Sequence, residues 1–130
     1  MKTILVADDD RKIRFGLTRR LEAEGYNVLT APNGVEALRL AVEERPDLIL
    51  MDVWMPVGLG FSVAQRLGVL GINIPIIFIT ASRKNGLSAA ARELGGADFF
   101  EKPYDPQELL AAVARTVDQP HTKTAGCTSN

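Results

Sequence analysis

The chain has 130 residues, 46% of them hydrophobic, and 15 Lys and Arg against 16 Asp and Glu leave a net charge of −1. That composition fits one globular domain and excludes nucleic-acid binding through bulk positive charge. No apolar stretch approaches a membrane span, and Ile4-Leu5-Val6-Ala7 is too short for a signal peptide, so a cytoplasmic location with no membrane contact is expected. A single cysteine, Cys127, rules out an intrachain disulfide.

In chain order, strand-like and helix-like segments alternate five times. Residues 3–7 form the first strand, and residues 11–24 the first helix, with Ile13, Gly16, Leu17 and Leu21 on its apolar stripe. Gly25 suits a left-handed position after that helix. The second strand, residues 26–30, is polar enough for a sheet edge. The turn Pro32-Asn33-Gly34 leads into a second helix through Glu44, with Val35, Leu38 and Val42 expected to be its buried stripe. Residues 47–51 are apolar on both faces, as in a strand buried within a parallel sheet. A third helix follows over 59–70, a fourth strand over 76–79, and a fourth, alanine-rich helix over 84–94 closed by Gly95-Gly96. Residues 97–101 form the fifth strand. Asp105-Pro106-Gln107-Glu108 then supplies a cap, a first-turn proline and a capping-box glutamate for a fifth helix, with Leu109, Val113 and Val117 on its stripe. The domain is expected to span residues 1–117, with 118–130 a flexible tail or the start of a linker.

Strands joined by single helices require right-handed parallel crossovers, which gives a doubly wound five-stranded sheet with helices on both faces. In the flavodoxin-like order 2-1-3-4-5, ligands gather at the carboxyl ends of the strands. Those ends carry Asp8-Asp9-Asp10 on the first strand, Asp52 on the third, Thr80 on the fourth and Lys102 on the fifth. The second strand ends at Thr30-Ala31 and brings nothing ionisable. One acid would serve as a helix cap, but three in succession facing Asp52 are too many for that role. Carboxylates about 4 Å apart repel by roughly 4 kcal/mol at an effective dielectric near 20. Lys102 offsets one of them, and the rest call for raised pKa values or for a hard cation such as Mg²⁺. A metal, an amine and a hydroxyl around a carboxylate point to phosphoryl transfer onto Asp52. Gly58-Leu59-Gly60 opens like a dinucleotide fingerprint, but Val63 stands at its third glycine position and no phosphate loop is present. The phosphoryl donor must therefore come from another molecule.

Asp8-Asp9, Asp52-Val53-Trp54-Met55-Pro56, Thr80-Ala81 and Lys102-Pro103 together resemble the receiver-domain signature of bacterial two-component response regulators, in order and at family spacing over residues 2–117. The resemblance implies a (βα)5 receiver with Asp52 phosphorylated by a histidine kinase or histidine phosphotransfer protein in a phosphorelay. It implies Mg²⁺ on Asp9, Asp52 and the Trp54 carbonyl, with Asp8 acting through water, and catalytic roles for Asp52, Thr80 and Lys102. It also implies a cis Lys102–Pro103 bond and a switch in which Thr80 and Phe99 move together. Phe99 and Phe100 alternate along the strand, so one is expected to face outward, an outward Phe99 being the switch, unless both simply pack. The output would be a partner or a second copy engaging the face made by the fourth helix, fifth strand and fifth helix. Such a domain modifies itself but turns over no free substrate, so it is not expected to be an enzyme in the usual sense. A constitutive adaptor that is never phosphorylated is the alternative, and the intact acid pocket counts against it. Trp54, bulky and two residues after the acceptor, is placed to shield a phosphoryl group from water. The basic first helix, with Arg11, Lys12, Arg14, Arg19 and Arg20, reads as a solvated face that also steers a donor.

Overall fold

The computed structural model describes residues 1–55, 60–80 and 96–118. Five parallel strands, β1 (Thr3–Ala7), β2 (Asn27–Ala31), β3 (Leu48–Asp52), β4 (Ile76–Thr80) and β5 (Gly96–Glu101), form one sheet in the order β2-β1-β3-β4-β5. The helices among the described residues are α1 (Arg11–Ala23), α2 (Gly34–Glu44), α3 (Gly60–Val69) and a C-terminal helix (Pro106–Asp118). The expected helix over 84–94, the Pro56 turn and the tail beyond Asp118 lie outside the described residues.

Alternation along the central strands divides the apolar side chains between two cores. Leu5, Ile49, Met51 and Phe78 pack with Ala37, Ala41, Val63, Ala64 and Leu67 of α2 and α3. Ile4, Val6, Leu48, Leu50, Ile77 and Ile79 pack on the other face with Leu17 and Leu21 of α1 and Leu109, Val113 and Val117 of the C-terminal helix. Every residue of β3 and β4 is buried, because helices cover both faces. The polar β2 is an edge, as its composition implies.

Local signals account for the helix ends. Asp10 caps α1, its Oδ1 accepting from the Lys12 and Ile13 amides at 2.8 and 3.4 Å. Asn33 caps α2 through the Glu36 amide at 2.9 Å, and Gly25 takes a φ of 93° after α1.

β2 runs over Asn27–Ala31 rather than 26–30, and further expectations need correction. The third strand starts at Leu48, not Asp47: the Asp47 amide donates to the Thr3 carbonyl while its Oδ2 accepts from the Thr3 amide, both at 2.8 Å, which ties off the strand's entry. On α2, Val35 and Val42 are 58% and 36% exposed, and the buried residues are Gly34, Ala37 and Ala41, with Leu38 half-buried. Small side chains let this helix lie close on the sheet, so its azimuth follows the alanines rather than the larger valines.

Candidate functional site

Parallel register sets the site. Ala7 pairs with Met51, so the next residues, Asp8 and Asp52, leave adjacent strands side by side. Thr80 pairs with Glu101, which brings Lys102 to the same end of the sheet. The Lys102 amide donates to the Thr80 carbonyl at 2.7 Å, holding the two tips together, and the Lys102–Pro103 bond is cis.

Lys102 Nζ donates to Asp8 Oδ2 at 3.1 Å and to Asp52 Oδ2 at 3.3 Å. Both acids are buried, Asp52 to 6% exposure, while Asp9 is exposed. One carboxylate oxygen from each of Asp8, Asp9 and Asp52 lies within 4.8 Å of the others. The remaining Asp52 oxygen, Oδ1, accepts from the Trp54 amide at 3.0 Å. Burial drives the Asp52 carboxyl above its ordinary value of 3.8, and the Asp8 charge adds to that. The Trp54 amide and Lys102 oppose the rise without cancelling it. Burial pulls the Lys102 ammonium down, but its hydrogen bonds and charge attraction to Asp8 and Asp52 outweigh that and leave it raised.

Two carboxylates against one ammonium leave one negative charge, and Asp9 makes it two. Hard, closely spaced oxygen donors open to solvent on the Asp9 side fit a cation of the Mg²⁺ type. The three acids of the first tip thus divide: Asp10 caps the helix, while Asp8 and Asp9 join Asp52.

Thr80 ends β4, fully buried, one residue beyond the Asp52–Ile79 pair. Trp54 is 39% exposed at the tip beyond Asp52. Phe99 differs from expectation. It is half-buried against the α2–α3 core, and Phe100 is half-buried against the opposite one. With cores on both faces, alternation sends neither ring outward.

Gly60 is a residue that motif reading passed over as a broken fingerprint. A Cβ there would run into the Asp52 carbonyl oxygen and lie 2.8 Å from Met51 Cγ. Its amide donates to the Val53 carbonyl at 2.9 Å, so only glycine lets α3 begin directly against the end of β3. Its position soon after the Asp52 tip was the available signal.

Comparison with known proteins finds relatives in both sequence and fold. A family sequence model described as "Response regulator receiver domain" matches residues 4–114. Response regulator MprA of Mycobacterium sp. (strain KMS) is 42% identical over 108 residues, which is 83% of this chain and 47% of that protein. The chain therefore spans about half the length of the curated relatives it matches. Among solved structures, the non-phosphorylated HemR receiver domain of Leptospira biflexa superposes with a TM-score of 0.85 at 31% identity, covering 93% of this chain and 99% of that one. The BeF3-activated N-terminal receiver domain of Klebsiella pneumoniae RstA gives 0.83 at 25% identity, covering 90% and 99%.

Proposed function

The chain belongs to the response regulator receiver family, and from that premise and the geometry of its strand tips we propose that Asp52 is a phosphoacceptor whose modification switches a docking face. The observation that carries the reading is Lys102 Nζ between Asp8 Oδ2 and Asp52 Oδ2, in a buried pocket that still holds excess negative charge. An Asp52 oxygen attacks the phosphorus of a phosphohistidine on a kinase or phosphotransfer protein. The P–N bond breaks with its electron pair returning to the imidazole, and an acyl phosphate forms on Asp52.

Lys102 holds charge on the transferred group, and Thr80 hydrogen-bonds one of its oxygens. Asp9, Asp52 and the Trp54 main-chain carbonyl would hold Mg²⁺, with Asp8 acting through water, and the ion when bound would supply charge neutralisation for the transferred oxygens. Phe99, already packed against the α2–α3 core and without a hydroxyl, responds to a Thr80 drawn toward the phosphoryl group by repacking rather than by swinging in from solvent. The face that responds includes β5 and the C-terminal helix, the expected fourth helix lying outside the described residues, and it serves a partner or a second copy of the chain. The receiver is assigned residues 1–118, one residue more than expected because the C-terminal helix runs to Asp118, and it works in the cytoplasm. Because it modifies only itself, it is a signalling module rather than an enzyme with free turnover.

Incubation with acetyl phosphate and Mg²⁺ is expected to add the mass of one phosphoryl group, labile to hydroxylamine, to the wild type and none to Asp52→Asn. Equal labelling of both overturns the assignment. Once labelled, Trp54→Asn is expected to lose its phosphoryl group several-fold faster than the wild type, since water then reaches it more freely; an unchanged lifetime removes the shielding role.

A further inference from the structure

Asp8 is tethered at every polar atom. Its amide donates to the Ala31 carbonyl at 3.1 Å, its Oδ1 accepts from the Asp10 amide at 2.9 Å, and its Oδ2 accepts from Lys102. The fourth tether comes from α1: Arg14 Nη1 donates to the Asp8 main-chain carbonyl at 2.7 Å. That carbonyl belongs to the peptide unit joining Asp8 to Asp9, and a peptide unit is planar, so its orientation sets the direction in which Asp9 leaves the strand.

The Asp9 side chain is exposed, and no hydrogen bond within the described residues holds its carboxylate. Where Asp9 points is thus decided by the main chain behind it. We propose that Arg14 is a positioning residue for the metal ligands: by holding the Asp8 carbonyl it aims the Asp9 carboxylate at the oxygens of Asp8 and Asp52. This inference rests on the Mg²⁺-dependent reading of the site given above.

Two physical effects of Arg14 have opposite signs, which makes the idea testable. Its positive charge beside the acids repels a cation, so if charge were all that mattered, removing it would tighten Mg²⁺ binding. Its hydrogen bond organises the ligands, so removing that weakens binding. A donor to this carbonyl is also hard to replace, because Asp8 is only 2% exposed and the orphaned acceptor loses its partner. Arg14 lines a shallow groove of about 260 Å³ with Arg11, Phe15, Thr18 and Thr30, so a substitution there meets open space as well as protein.

The probe is Mg²⁺ itself, titrated against the fluorescence of Trp54, the only tryptophan in the chain, whose amide bonds Asp52. Arg14→Met is expected to weaken Mg²⁺ affinity roughly tenfold, and Arg14→Lys, which keeps a charged donor, to recover most of the loss. Arg11→Met removes the same charge from an exposed position at the start of α1 and is expected to leave affinity equal or slightly tighter. Arg14→Met binding Mg²⁺ as tightly as the wild type overturns the proposal, as does an equal loss in Arg11→Met. A wild type with no saturable Mg²⁺ response overturns this inference and the metal reading together.

Discussion

Two cations in this molecule each sit between two carboxylates. Arg39 on α2 donates to Glu36 at 2.7 Å and Glu43 at 3.0 Å, whereas Lys102 donates to Asp8 at 3.1 Å and Asp52 at 3.3 Å. By distance alone the first cluster is the tighter. Its three side chains are 39–53% exposed, however, so water and salt screen them and stand ready to replace any partner removed. The Lys102 cluster is buried at both acids, so water replaces a lost ammonium much less readily there. The difference lies in solvation. An ion cluster decorates a helix in one place and leaves an unmet electrostatic demand in the other, and the unmet demand is what makes a reactive site.

Removing each cation sharpens that contrast, and the largest effect is expected at Lys102. Lys102→Met should slow phosphoryl labelling from acetyl phosphate by about 100-fold, the usual loss when a donor to developing charge is deleted. A rate within a factor of a few of the wild type would mean that the ammonium only balances charge in the resting state.

A smaller effect is expected from Asp52, read as stability against pH. Its folded pKa lies above its ordinary value of 3.8, mainly through burial. Such a group contributes stability below the unfolded value and loses it as pH rises through the folded one. Without Mg²⁺, Asp52→Asn is therefore expected to melt a few degrees above the wild type at pH 7. The gap should close below pH 3.8, where both side chains are neutral. Adding Mg²⁺ should raise the wild-type melting temperature by mass action and the variant's by less, narrowing the gap at pH 7. Identical melting curves at pH 7 in chelator would show that burial of the charge costs nothing.

The smallest effect is expected at the exposed cluster. Arg39→Met should leave both the melting temperature and labelling within experimental error, although Arg39 is held above its usual value by the Glu36 hydrogen bond and the charges of Glu36 and Glu43. A clear loss of stability there would break the comparison, because exposure would then no longer separate the two clusters.

The architecture and most of the site could be read from residues in order. Short apolar runs, each ending on Asp, Thr or Lys, announce buried parallel strands with their chemistry at one end, since the period of apolar residues is a local property of the chain. Asp8, Asp9, Asp52 and Lys102 were legible because topology brings the carboxyl ends of neighbouring strands together whatever the detailed packing. Less was legible where a choice among neighbours decides the outcome. Three aspartates in a row do not say which caps a helix; the geometry gives that role to Asp10 and leaves Asp8 and Asp9 facing Asp52. Large side chains on α2 suggested a valine stripe, but close approach to the sheet selected Ala37 and Ala41.

What this sequence determines by itself is the alternation of elements, the caps and the strand tips, because each depends on a few adjacent residues and on the handedness of crossovers. Only tertiary structure decides where helix faces turn, why Gly60 is needed against the Asp52 carbonyl, and that Arg14 reaches back to hold Asp8. Those outcomes depend on distances between segments that hydrophobic periodicity does not encode, and such distances are set when two cores close on one sheet.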